Sequence, residues 1–168
     1  MKLEPIIEAP YMVTGLWKNY AVHLFEGKVT LGDMDRIEAD AIAWHSKLKD
    51  KLVEMVVIYP SDSKMTQDER VRMAGIIRRW EKTRLASATV IVADSLVGSL
   101  HRSVLTGLQM LAPSPHPTKV FGTIDDATRW LCPYVVKACG TAVRPEALGA
   151  AVDELAVRFL ARTERAPR

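Results

Sequence analysis

Residues 52–80 read LVEMVVIYPSDSKMTQDERVRMAGIIRRW. The first part, Leu52 to Tyr59, is almost continuously apolar. Strands covered on both faces have that composition, as in a parallel sheet. Pro60 stops the run, and Ser61, Asp62 and Ser63 follow. Thr66 and Glu69 then form a Thr-x-x-Glu pair, the sequence mark of a capping box, so a helix is expected to start there. Its apolar residues Val71, Met73, Ala74, Ile76, Ile77 and Trp80 are expected to turn inward. Arg70, Arg72, Arg78, Arg79, Lys82 and Arg84 make the helix and its exit basic.

The same alternation continues downstream. ATVIVAD, from Ala88, is a second strand of the buried type. A helix is expected next, with Val97, Leu100, Val104, Leu108 and Leu111 spaced by three or four. Pro113, Pro115 and Pro117 enforce an extended connector. TKVFGT, from Thr118, reads as a short strand, and DDATRWL, from Asp125, as a short helix stopped by Pro133. A last helix opens with Pro145 at a natural first-turn position. It is expected to bury Leu148, Ala151, Val152, Leu155, Phe159 and Leu160.

Upstream, Tyr20, Val22 and Leu24 alternate with Ala21, His23 and Phe25, a half-buried strand pattern. Tyr11 to Trp17 repeats it more weakly. Lys18-Asn19 fits a tight turn between them, since asparagine tolerates positive φ. Gly27 should end the second strand. Ile37, Ala41, Trp44 and Leu48 then form one stripe of an amphipathic helix, with Asp33 and Asp35 early and Lys47 and Lys49 late, matching the helix dipole. The expected order is β-β-α-β-α-β-α-β-α plus a C-terminal helix. This is an α/β fold with a mostly parallel sheet, right-handed crossovers and one antiparallel N-terminal hairpin. Residues 1–10 read as an irregular lead-in, 11–162 as one domain and 163–168 as a frayed tail.

The length of 168 residues suits a single domain, and 48% hydrophobic residues supply one sizeable core. Basic residues number 23 and acidic ones 20, a net charge of +3 that does not by itself argue for nucleic acid. No apolar run reaches the ~20 residues of a membrane span, and Glu4, Pro5 and Glu8 interrupt any leader-like stretch, so a cytoplasmic protein is expected. Cys132 and Cys139 are six intervening residues apart, which is not a redox or zinc spacing, and read as small buried hydrophobes. His23, His45, His101 and His116 show no metal-ligand pattern, and no glycine-rich phosphate loop is present, so neither cofactor nor metal is expected.

Three stretches carry a resemblance: YAVHLFEGKVTLGDMDRI, VVIYPSDSKMTQDERVRMAGIIRR and SVLTGLQMLAPSPHPTKVFGTIDDATRWL, spanning roughly Tyr11 to Leu131. In this order they resemble the STAS fold of bacterial anti-sigma-factor antagonists, and more nearly a divergent SpoIIAA-like branch. The resemblance implies a small regulatory protein that touches a partner kinase through the loop after its third strand, where a serine preceded by aspartate is phosphorylated. Asp62-Ser63 stand at that place here. Lys64-Met65-Thr66 occupy the positions where the family has small residues.

Each candidate site has a plainer alternative. Ser61, Asp62 and Ser63 lie at the carboxyl end of an expected parallel strand, the edge where open α/β sheets bind ligands. They form either a binding or switch loop or a polar connector whose side chains satisfy loose backbone groups. A phosphate on Ser63 would bring about −2 charge to a helix N-terminus. Asp94, Ser95, Ser99 and His101 gather on the same expected edge. The strained elbow of a serine hydrolase is missing there, and helix capping by Ser95 or Ser99 accounts for the serines. Arg70 and Arg72 are candidates for an acidic partner or solvated surface charge. The apolar stripe of the last helix packs on its own sheet or on another chain, which leaves a homodimer open.

The sequence therefore leads to a non-enzymatic regulatory or scaffolding module that binds a protein partner through Ser61, Asp62, Ser63, Arg70, Arg72, Asp94, Ser95 and Ser99. A small apolar ligand or lipid binder is the alternative, and a serine hydrolase using Ser95 or Ser63 a third reading.

Overall fold

The structure, a computed structural model, describes residues 1–26, 30–46, 51–59, 66–92 and 114–163. Six strands form one sheet in chain order: β1 (Glu4–Ala9), β2 (Met12–Trp17), β3 (Tyr20–Glu26), β4 (Leu52–Tyr59), β5 (Arg84–Ile91) and β6 (Thr118–Phe121). The pairs β1–β2 and β2–β3 are antiparallel, while β3–β4, β4–β5 and β5–β6 are parallel. Four described helices cover it: α1 (Leu31–His45), α2 (Gln67–Trp80), α3 (Ile124–Cys139) and α4 (Pro145–Thr163).

The register explains why the two central runs look continuously apolar. Tyr20, Val53 and Ala86 lie in one row across β3, β4 and β5, and Val22, Met55 and Ala88 in the next. All six are buried against a core that also takes Ala127, Leu131 and Val135 of α3 and Leu148, Val152 and Phe159 of α4. Residues of the other parity face α1, where Met12, Ala21 and Leu52 meet Ala41 and Trp44. Successive parallel strands stepping one way across a sheet, each crossover right-handed, place their helices on one face. The last two helices, α3 and α4, cover the other face, and the antiparallel β1 and β2 extend the sheet at its β3 edge.

Several expectations change. Residues 4–9 are a strand rather than an irregular lead-in. Pro5 cannot donate to a ladder, but β1 is an edge strand and its pairing shifts register between Pro5 and Ile7, where a proline is tolerated. In the β2–β3 turn the positive φ, 51°, belongs to Lys18. Asn19 is committed elsewhere: its carbonyl accepts the Val53 N–H at 2.8 Å and its side chain donates to the Lys51 carbonyl at 3.4 Å. Helix α3 does not stop at Pro133 but runs through it to Cys139. Pro133 faces water, so the carbonyl it leaves without an N–H partner can be hydrated, while Leu131 and Val135 anchor both sides of it. The helix ends at Gly140, whose φ of 61° and N–H bond to the Val136 carbonyl (3.0 Å) make a left-handed cap.

Val71 and Ile77 do not turn inward: they are 62% and 48% exposed, whereas Glu69 is buried and Arg72, Met73, Ala74, Ile76 and Trp80 are half-buried. The apolar stripe of α4 is buried on its own sheet, except Leu160, which is half-buried, so that stripe is not free for a second copy. It packs so closely that a Cβ built on Gly15 of β2 would lie 2.7 Å from Leu155 Cδ2. Gly27, Leu48, the expected helix over Val97–Leu111 and the 164–168 tail lie outside the described residues. No helix among the described residues is long and apolar enough to cross a membrane.

Candidate functional site

Because β3 to β6 run parallel, their carboxyl ends share one rim. Ile58 lies beside Ile91, and the Val92 N–H continues the ladder onto the Ile58 carbonyl at 3.0 Å. The segments that begin at 60 and 93 therefore leave the sheet from neighbouring points. Ser61, Asp62, Ser63, Asp94, Ser95 and Ser99 belong to these two segments and lie outside the described residues.

Three helices start from this rim, each capped by a threonine with an acid three residues on. Thr30 Oγ1 accepts the Asp33 N–H (3.3 Å) and Asp33 accepts the Thr30 N–H (3.0 Å). Thr66 and Glu69 repeat the exchange at 3.3 and 2.6 Å. At α3, Thr123 Oγ1 accepts the Asp126 N–H (3.2 Å) and donates to its carboxylate (2.8 Å). The sequence marks TLGD, TQDE and TIDD announce all three, though only the middle one was singled out above. These carboxylates already sit at the positive ends of the helix dipoles. Burial pushes the Tyr59 phenol pKa up, and the carboxylates of Asp153 and Glu26 push it further. The described part of the rim thus presents hydroxyls and negative charge. A phosphate on Ser63 would meet an α2 N-terminus already carrying Asp68 and Glu69.

Arg72 and Arg70 have different surroundings. Arg72 turns toward α1, where Nε and Nη2 donate to Asp35 Oδ1 at 2.9 and 2.7 Å and Nη2 also reaches Glu38 Oε2 at 2.5 Å. Arg79 Nη1 lies 3.0 Å from the other oxygen of Glu38. Arg70 donates to Gln67 Oε1 of its own helix at 3.1 Å. The pair Arg72 and Arg79 therefore holds α2 to α1.

Beneath α1 and α2 lies a polar row that the sequence reading did not single out. Glu54 is buried in mid-strand, and Arg84 grips it with Nε at 2.7 Å and Nη2 at 3.0 Å. Ser87 donates to it at 3.2 Å, and His23 Nε2 stands 3.3 Å from Oε1. Arg84 also donates to the Ile77 carbonyl at 3.2 Å, tying the end of α2 to the sheet. Burial alone would raise the Glu54 pKa, but the Arg84 charge and the bonds from His23 and Arg84 outweigh it and hold the carboxyl well below the usual range. The available signal was Glu54 itself, a lone charge inside LVEMVVIY, since a buried charge requires a partner.

Thr14 Oγ1 lies 2.9 Å from His23 Nδ1, so hydroxyl, imidazole and carboxylate follow in the order of a nucleophilic relay. Thr14 has no exposed surface, however, so its hydroxyl meets no substrate and the row is structural. Nearby, the His45 ring stacks between Trp44 and Trp80 with centroids 4.1 and 4.2 Å apart. Burial, helped by Arg84 and His23, pushes its pKa down to about 4 against the pull of Glu54. Cys132 is buried and donates to the Val143 carbonyl at 3.3 Å, and burial pushes both cysteine thiols up. No cluster of metal-ligating side chains occurs among the described residues.

Two hollows bear on the apolar-ligand reading. A cleft of about 90 Å³ lies between β1–β2 and α4, lined by Pro5, Val13, Leu155 and Phe159 together with the charged Glu8, Arg158 and Arg162, well below the ~300 Å³ of an ordinary ligand pocket. A wide hollow of about 560 Å³ opens at the opposite rim, lined by Met1, Trp17, Ala142, Val143, Arg144 and Ala147.

No family model matches the chain. No curated protein matches it either. Among solved structures, a murein peptide ligase from Psychrobacter arcticus 273-4 is similar at 14% identity and a TM-score of 0.43, over 100% of this chain and 30% of that one. The chain thus spans under a third of that protein's length, and a likeness of this size carries no argument about activity.

Proposed function

We propose that this chain is a non-enzymatic regulatory or scaffolding module that binds a partner protein through the rim where β4 and β5 end. The observation that supports it most is the parallel register at Ile58 and Ile91, with the Val92 N–H on the Ile58 carbonyl. Two connecting segments rich in serine and aspartate leave the sheet side by side, and rigid strands hold their starting points. Loops on such a scaffold are the usual carriers of recognition in α/β proteins. The resemblance to SpoIIAA-like proteins leads to the same loop.

A pulldown with the full chain from native cytosol tests this reading. One defined protein should co-purify, and Ser63→Glu should weaken its capture while leaving the fold intact. Capture unchanged by Ser63→Glu and by Ser95→Glu would contradict it. The hollow beside Trp17 and Arg144 favours a second reading, a small apolar ligand held at the opposite rim. Native mass spectrometry of the purified chain should then show a bound molecule that Trp17→Ala removes.

A further inference from the structure

The hollow at the opposite rim is built by contacts between distant parts of the chain. Lys18 takes the positive φ of the β2–β3 turn and reaches the connector between α3 and α4. There its Nζ donates to Thr141 Oγ1 at 2.5 Å and to the Cys139 carbonyl at 3.4 Å. Gly140, in its left-handed conformation, turns the connector away from α3. The Ala147 and Leu148 N–H groups then close the first turn of α4 on the Arg144 carbonyl, at 3.1 and 3.2 Å. Trp17 lines the hollow from β2, and Ala142, Val143 and Ala147 line it from the connector and α4. Trp17, Val143 and Ala147 are half-buried, so each still offers apolar surface there.

The charge in the hollow has one sign. Arg144 is exposed and lines it, its side chain makes no hydrogen bond or ion pair among the described residues, and no carboxylate is among the lining residues. Arg162, at the other end of α4, shows the contrast: Glu8 and the Ala9 and Met12 carbonyls hold it. Lys18 places a second cation 5.5 Å from the centre of the Trp17 ring. The volume of about 560 Å³ falls in the range of small-molecule sites, roughly 300–1,000 Å³, which combine apolar walls with a few placed polar groups. We infer that this hollow takes a small apolar monocarboxylate, its hydrocarbon against Trp17, Val143 and Ala147 and its carboxylate on the Arg144 guanidinium. A planar guanidinium matches the two oxygens of a carboxylate. The inference rests on the second reading above, an apolar ligand at this rim, and names the chemical class of that ligand.

The test is calorimetric titration of the full chain with decanoate, 1-decanol, decylamine and decyl phosphate, each below the concentration at which it self-associates. Decanoate should bind one-to-one, about tenfold more tightly than decanol, with decylamine weakest, since a hydrogen bond to a charged group is worth roughly that factor. Arg144→Gln should remove the preference for decanoate and leave decanol binding unchanged, a split that a merely structural arginine does not give. Ala142→Phe, at an exposed connector position, should fill the hollow and weaken both. Equal affinity for decanoate and decanol, or a preference untouched by Arg144→Gln, overturns the assignment of a carboxylate and leaves the apolar-ligand reading intact. Tighter binding of decyl phosphate than of decanoate does the same. Binding unchanged by Ala142→Phe places the ligand elsewhere and overturns both, as does a chain that binds none of the four.

Discussion

Glu54 and Arg84 form a buried ion pair across the β4–β5 boundary, with Arg84 Nη2 donating to Oε1 at 3.0 Å and Nε lying 2.7 Å from Oε2, beside His23 and Ser87. The pair lies toward the amino ends of β4 and β5, away from the exits that make the proposed site, and Arg84 also holds the last turn of α2. Removing one partner leaves a buried charge alone. Glu54→Gln or Arg84→Met should each destabilise the fold by about 3–5 kcal/mol, measured by urea unfolding. The double replacement Glu54→Leu with Arg84→Met should recover most of that loss. Additive losses in the double variant would show that the pair is not the coupled unit described.

Acid should weaken the fold in two stages. The His45 pKa is lowered from 6.5 to about 4, so folding favours its neutral form. The unfolded chain then binds more protons between those values, and stability falls as pH drops from 6.5 toward 4. The depressed Glu54 carboxyl contributes stability above its ordinary pKa of 4.5, lost as pH falls through the folded value below it. His45→Phe keeps a ring between Trp44 and Trp80 and should flatten the first stage alone. Melting temperature against pH for both proteins checks this; identical slopes above pH 4.5 would assign the first stage elsewhere.

Two glycines should respond in opposite senses to alanine. At Gly15 the new methyl would press on Leu155 and Leu3, and a loss of about 1–3 kcal/mol is expected. At Gly75 nothing lies within reach, and a gain of about 0.5–1 kcal/mol is expected from helix propensity. Thermal unfolding of Gly15→Ala and Gly75→Ala measures both.

The three threonine caps should contribute independently. Thr30→Ala, Thr66→Ala and Thr123→Ala are each expected to cost about 1 kcal/mol. Their starts are on different helices, so a triple variant should lose close to the sum. A triple variant no weaker than the worst single one would mean that the caps are not formed in solution.

The central architecture was legible because LVEMVVIY and ATVIVAD carry the composition of strands covered twice, and register then aligns Val53, Met55 and Val57 with Ala86, Ala88 and Val90. Pro145, the Thr66–Glu69 cap and the stripe of α4 were legible through local chemistry that tertiary packing does not override. Pro5 and Pro133 misled for one reason: a proline breaks an element only where its missing N–H matters, and an edge strand and a solvated helix face both tolerate the loss. Val71 and Ile77 misled because periodicity reports which residues are apolar and not which face meets the protein. Of the candidate site, only Arg70 and Arg72 are described, and the anchor points Tyr59 and Val92 follow from strand order. The Glu54–Arg84–His23 row needed coordinates, since its members come from three strands.

Site-specific photo-cross-linking compares the two rims most directly. A photoreactive residue at position 63, four residues after β4 ends in sequence, should give one defined adduct from native cytosol, and the same residue at exposed Ala142 on the opposite rim should give none. Matching adduct patterns from the two positions, or an adduct from 142 alone, would contradict the assignment of the β4–β5 exit rim as the partner-binding surface.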